Sequence, residues 1–260
     1  WWRLDGARHL KSGRAALIAI HGGPGGAHDY LEPLAALAEE RAVLLYDQLD
    51  CGNSDKPGDP ANWTIARFAA EIDALRAALG IGRFVLLGHS WGAVIALDYA
   101  ARGNADLAGV VFASPLISTP RWVADNLAHR RALPPDVQAA LDRHEAAGTI
   151  DSDEYRAAIA VMMRRHFCRL GVEPQAVQRL FRKLNLDLYR TLWGDNEFVC
   201  TGALKDYDGT ALLPRVAVPA LFLCGEFDES TPAANRDFAA RTPAAKVSVI
   251  PGASHTPMFE

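Results

Sequence analysis

Short apolar runs alternate along the chain with longer stretches of helical spacing. Ala16–Ile20 is apolar at every position, residues 42–46, 84–87, 110–112 and 221–224 read the same way, and 247–250 does so but for Ser248. A strand without a polar face is covered on both sides, which is the condition of a parallel sheet. Helical periodicity fills the intervals at residues 30–39, Ile65–Leu79, 93–102 and 233–241. Strand–helix alternation implies right-handed crossovers, so the pattern predicts an α/β fold with a mostly parallel, doubly wound sheet.

The alternation stops after Pro115. Residues 119–192 are helical in pattern, rich in Ala, Arg and Leu, and contain no convincing strand; the strand rhythm returns at Pro219. A helical block between two strands of one sheet is most simply a cap over the carboxyl ends of the strands, the edge at which open α/β sheets bind ligands. The competing reading is a separate helical domain. The expected division is a core of residues 1–118 and 196–260 with a cap at 119–195. A chain of 260 residues, half of them hydrophobic, is long enough for one large domain carrying such an insertion.

Composition removes several classes of function. The formal net charge is −4 with both signs dispersed and no long basic run, which speaks against nucleic acid as a partner. Cys51, Cys168, Cys200 and Cys224 include no CxxC pair, so a zinc site or disulfide framework is not expected, and reduced thiols point to the cytoplasm. No apolar stretch approaches the roughly 18–20 residues of a membrane span. The start, Trp1-Trp2-Arg3, has no initiating Met and does not resemble a signal peptide, so further residues are expected ahead of it.

The strongest chemical motif is Gly88-His89-Ser90-Trp91-Gly92, a G-x-S-x-G between the strand at 84–87 and the helix from Ala93. A serine there occupies a sharp strand-to-helix turn, with its hydroxyl lifted clear of the sheet and flanked by residues small enough to fit. Serine is a poor nucleophile at neutral pH and needs a base. The order for this arrangement is Ser, then Asp or Glu, then His. His255, alone of the eight histidines, follows the last strand. The acid belongs after the preceding strand, where Glu226, Asp228 and Glu229 are all available. Oxyanion donors are expected from the N–H of Trp91 and from the loop His21-Gly22-Gly23-Pro24-Gly25-Gly26, with Gly23 the donor. That loop lacks the Lys-Ser/Thr of a P-loop and the spacing of a dinucleotide fingerprint. His144-Glu145 lacks the second histidine of a zinc-protease helix and reads as a solvated helix face.

These motifs together resemble the proline iminopeptidase family of serine α/β-hydrolases, which includes amino-acid amidases and tricorn-interacting aminopeptidases. The resemblance spans nearly the whole chain. It rests on His21-Gly22-Gly23-Pro24-Gly25, Asp47-Gln48-x-x-x-Gly52-x-Ser54, the serine turn, Gly225-Glu226-Phe227-Asp228-Glu229 and Gly252-Ala253-Ser254-His255. It implies an α/β-hydrolase fold, the triad Ser90, Asp228 and His255, and a cis Gly23–Pro24 bond, with Glu226 as the fallback acid. It also implies removal of an N-terminal residue, proline or another apolar one, from short peptides or amino-acid amides. Glu197 and Glu229 would then bind the substrate ammonium, with Tyr189 beside them. No metal or organic cofactor is implied, and neither a nucleic acid nor a membrane is an expected partner. Asp50 stands where family members often have glycine. It should tolerate a left-handed turn and is expected to alter charge near the site. The family's first strand and the helix after Glu260 are expected to lie outside this sequence. The alternatives are an esterase, lactonase or carbon–carbon bond hydrolase on the same scaffold, or a non-catalytic small-molecule receptor.

Overall fold

The structure is a computed structural model that describes residues 1–196 and 198–260. Seven strands form one sheet: β1 (Trp2–Asp5), β2 (Ala16–Ile20), β3 (Val43–Tyr46), β4 (Phe84–His89), β5 (Leu107–Ala113), β6 (Ala220–Gly225) and β7 (Ala245–Ile250), in the order β1-β3-β2-β4-β5-β6-β7. Every neighbouring pair is parallel except β1 with β3. The six strands read from the sequence are all present. β1 is additional: it is an edge strand held by pairing with β3, and at four residues its alternation of Trp2 and Leu4 with Arg3 and Asp5 is too short to stand out in the sequence.

Alternate strand residues feed opposite faces, as the pleat requires. Ile18, Ile20, Leu44, Tyr46, Phe84 and Leu86 join one buried cluster, and Leu17, Ala19, Val43, Leu45 and Leu87 join another. On the first face lie α1 (Ile65–Leu79) and α2 (Gly92–Arg102). Thr64 caps α1 by accepting the Arg67 N–H at 3.2 Å, and Gly80 ends it at φ 65°. The helix read at 30–39 is present as His28–Glu39 but wound as a 3₁₀ helix with Pro33 inside it. Proline has no N–H to give to an α-helical bond.

Between β5 and β6 the chain forms α3 (Thr119–Arg131), α4 (Pro135–Ala147), α5 (Asp153–Met162), a π-helical turn (Met163–Phe167), α6 (Gln175–Lys183) and α7 (Leu186–Leu192). This insertion has its own apolar cluster around Leu133, Leu141, Tyr155 and Met162, while Val177 and Leu180 of α6 join the second core cluster. Its base is a short neck. The Thr119 N–H donates to Tyr207 O and the Gly209 N–H to Ile117 O, both at 2.9 Å, around an antiparallel bridge of Ser118 with Asp208. α6 also pairs with the 3₁₀ helix, Arg179 and Lys183 both reaching Asp29 at 2.9 Å. The last helix, α8 (Pro232–Ala240), packs on β6 and β7. No helix among the described residues is long and apolar enough to cross a membrane.

Candidate active site

Ser90 directly follows β4 at φ 54°, a left-handed conformation that costs a non-glycine residue about 1–3 kcal/mol and persists only when its surroundings enforce it. Its N–H donates to Ala113 O at 3.0 Å, and its carbonyl accepts the N–H groups of Ala93 (3.0 Å) and Leu116 (3.2 Å). Sterics explain the motif glycines. A Cβ on Gly88 would collide with the carbonyl of Gly92, and one on Gly92 with the carbonyl of Ile20. A Cβ on Gly22 would stand 3.0 Å from Cβ of Ser90.

Asp228 follows β6 and is fully buried. Oδ1 lies 2.8 Å from His255 Nδ1 and accepts the Ser230 N–H at 2.8 Å. Oδ2 accepts the Ser114 hydroxyl at 2.6 Å and the Gly225 N–H at 3.0 Å. A carboxylate in this setting only accepts, so the His255 proton sits on Nδ1 and the basic lone pair on Nε2. Of the other two acids in the loop, Glu226 turns outward to accept the Gly252 N–H at 2.9 Å, and Glu229 lines the cavity described below.

Two histidines from the insertion brace this acid loop. His166 Nδ1 donates to Phe227 O at 2.8 Å and His129 Nε2 to Asp228 O at 3.2 Å, with their rings stacked 3.9 Å apart. The backbone carbonyl of His166 accepts the His255 N–H at 3.0 Å. Burial, and then the neighbouring His129, push His166 down to about 4. Sequence reasoning missed both residues, because imidazoles bound to main-chain carbonyls leave no motif.

It also missed the links made by Tyr30 and His89. The Gly22 N–H donates to Tyr30 Oη at 2.6 Å, Tyr30 Oη lies 2.8 Å from His89 Nδ1, and His89 Nε2 lies 2.8 Å from His255 O. Burial, reinforced by His255, lowers His89 to about 3. A second set of bonds fastens the glycine loop to the serine turn. The Trp91 indole donates to Gln48 Oε1 at 3.0 Å, and Gln48 Nε2 donates to His21 O at 2.9 Å. The Gly23–Pro24 bond is cis, as the resemblance implies, and Gly23 has φ 127°.

A cavity of about 380 Å³ opens over the carboxyl ends of the strands. Gly23, Ser90, Glu229 and His255 line it from the sheet side, and Tyr189, Trp122, Phe167, Leu180 and Phe181 from the insertion. Trp91 lies at the start of α2 with its side chain buried in the core. Glu197 lies outside the described residues. Asp50 departs from expectation. It has φ 64° as anticipated, but its carboxylate accepts the Gly58 N–H and the Trp63 indole N–H, both at 2.8 Å, and is not part of the cavity wall. It therefore fastens its own loop instead of charging the site. The cluster His28, Asp29 and Glu32 has ligand-like spacing, but Asp29 and Glu32 are paired with Arg179 and Lys183.

The sheet, the serine turn and the acid–histidine pair define an α/β-hydrolase, and residues 15–260 match the family model described as alpha/beta hydrolase fold. A proline iminopeptidase of Heyndrickxia coagulans is 39% identical over 95% of this chain and 86% of its own length. Two solved structures each share 38% identity and cover 100% of this chain and 89% of their own: VinJ, with a TM-score of 0.94, and a proline iminopeptidase of Mycobacterium smegmatis, with 0.89. The chain belongs to the proline iminopeptidase family.

Proposed function

We propose that the protein is a serine aminopeptidase that releases an N-terminal residue, proline or another apolar one, from short peptides or amino-acid amides. Ser90 attacks the first carbonyl while His255 Nε2 takes its proton, and Asp228 holds the imidazole and stabilises the imidazolium. The N–H groups of Gly23 and Trp91 receive the oxyanion, each contributing roughly 3 kcal/mol to the transition state. His255 then protonates the leaving amine, and water hydrolyses the acyl-enzyme by the same route. Glu229 and Glu197 pair with the substrate ammonium, and Tyr189 hydrogen-bonds beside them. This geometry excludes internal peptide bonds. Residues 119–195 act as the cap, and residues 1–118 and 196–260 as the core. Four buried free cysteines suit a reducing cytoplasm.

The observation that carries the reading is the meeting of Ser90, His255 and the acid Glu229 in one cavity, whose wall otherwise mixes apolar side chains with Asp151, Arg190 and Asp195. The test compares proline, alanine and aromatic amino-acid arylamides with their N-acetylated forms. Acetylation removes the ammonium and should abolish turnover, and Glu229→Gln and Glu197→Gln should each raise KM for the free amines. Equal rates with and without the acetyl group would overturn the aminopeptidase reading in favour of an esterase or another small-molecule hydrolase.

A further inference from the structure

Three loops must hold register for acyl transfer: the glycine loop after β2, the serine turn after β4 and the histidine loop after β7. A single chain of hydrogen bonds crosses all three. Its ends fix its direction. The Gly22 N–H can only donate and the His255 carbonyl can only accept. Tyr30 and His89 lie between them, and each must accept on one side and donate on the other. The Tyr30 hydroxyl therefore accepts from Gly22 and donates to His89 Nδ1, and His89 carries its proton on Nε2, directed at His255 O. This is the neutral Nε2–H tautomer. A second proton on Nδ1 would face the Tyr30 O–H and break the chain. Both side chains are almost fully buried, which strengthens the links, and burial that lowers His89 to about 3 keeps it neutral near pH 7.

We infer that Tyr30 and His89 are positioning residues that lock the oxyanion loop to the base loop through one directional hydrogen-bond chain. Each anchored atom adjoins or belongs to a proposed reacting group: Gly22 precedes the donor Gly23, His89 precedes Ser90, and His255 is the base itself. Ring packing adds rigidity, with Tyr30 edge-on to His89 at 5.0 Å and His89 at 4.8 Å from His255. The inference rests on the acyl-transfer reading above. It differs from simple space-filling in one respect: Tyr30→Phe conserves the packing and removes only the oxygen. That change leaves the Gly22 N–H and His89 Nδ1 unbonded and frees the oxyanion loop, whose contribution is made in the transition state.

The test uses the full chain and the variants Tyr30→Phe, His89→Gln, His89→Asn and the Tyr30→Phe/His89→Gln double variant. Rates are taken per active serine, titrated with a fluorophosphonate, on an amino-acid arylamide and on p-nitrophenyl acetate. Tyr30→Phe should lower kcat about tenfold or more while KM stays within about twofold. His89→Asn places an acceptor near the Nδ1 position and keeps the Tyr30 link, whereas His89→Gln places a donor near Nε2 and keeps the His255 link. Adding Tyr30→Phe to His89→Gln should therefore cost less than Tyr30→Phe does alone, because the Tyr30–His89 link is already lost and only the Gly22 bond remains to be removed. Wild-type kcat in Tyr30→Phe, a loss confined to KM, or fully additive losses would overturn the inference. Failure of the aminopeptidase reading looks different: the arylamide is not cleaved by any form, while the acetate ester still reports the kcat loss.

Discussion

Asp228 Oδ1 lies 2.8 Å from His255 Nδ1, and three further donors hold the carboxylate in that place: the Ser230 N–H, the Ser114 hydroxyl and the Gly225 N–H. Each oxygen meets a backbone N–H, so neither position admits an amide nitrogen. Asp228→Asn must set its NH2 against one of those N–H groups. kcat should fall about 10⁴-fold through loss of the correct imidazole tautomer. Stability should also fall by about 1–3 kcal/mol from the unsatisfied donor. Steady-state kinetics and urea unfolding on the same preparation check both; a drop in kcat without any loss of stability would contradict the packing argument.

Gly92 faces the carbonyl of Ile20 too closely for any side chain. Gly92→Ala must part the serine turn from β2. The expected cost is about 2 kcal/mol or more of stability, with kcat falling because the turn and the oxyanion loop separate. Chemical denaturation measures the first and active-serine titration the second. A substitution that left both unchanged would show that the turn does not depend on this approach.

Histidines held neutral by the fold make the protein acid-sensitive. His89 is lowered to about 3 and His166 to about 4, against about 6.5 in an unfolded chain. Between those values the unfolded state binds protons that the native state refuses. The stability they contribute is present above pH 6.5 and is lost as pH falls from there toward 4. The slope is up to about 1.4 kcal/mol per pH unit for buried His89, and the pH window is shorter for His166, whose half-exposed ring is partly screened. His166→Asn can retain the donor to Phe227 O without the titration. Its urea midpoints at pH 7.5, 5.5 and 4.5 should decline less steeply than those of the wild type, and parallel declines would refute the assignment.

Asp50 holds the Gly58 N–H and the Trp63 indole from a left-handed backbone. Asp50→Gly relieves about 1 kcal/mol of backbone cost but removes two bonds to a charged acceptor, each worth about 1.5–3 kcal/mol. The net result should be a loosened loop at residues 51–63 with little change in kcat. Hydrogen exchange across that segment gives the answer; unchanged protection would mean that the carboxylate does not hold the loop.

What the sequence discloses follows from how each contact is encoded. The five inner strands, β2 to β6, are legible because burial on both faces favours apolar residues, and the edge strand β7 because Val247, Val249 and Ile250 keep an apolar run beside Lys246 and Ser248. β1 escapes because its alternation of Trp2 and Leu4 with Arg3 and Asp5 is too short to stand out. Gly88, Gly92 and Ser90 stand out because backbone crowding allows few residue types there. The sequence of the acid loop alone cannot say which of Glu226, Asp228 and Glu229 meets His255; that choice needed the family's pattern. His89 sits inside the most conspicuous motif, yet its function in the chain depends on Tyr30 and on a carbonyl 166 residues away. His129 and His166 are less visible still, since main-chain acceptors impose no residue identity.

The neck at residues 117–119 and 207–209 bears on how such a molecule acquires new substrates. The insertion leaves and re-enters the core at adjacent points that are hydrogen-bonded to each other. Replacing everything beyond that clasp would leave strand order and the serine turn as they are, although the acid loop would lose its braces His129 and His166. The segment is thus a transplantable cassette with stated conditions of compatibility: an incoming segment must bring donors for the carbonyls of Phe227 and Asp228, an acceptor for the His255 N–H, cations for buried Asp29 and apolar side chains where Val177 and Leu180 close the core.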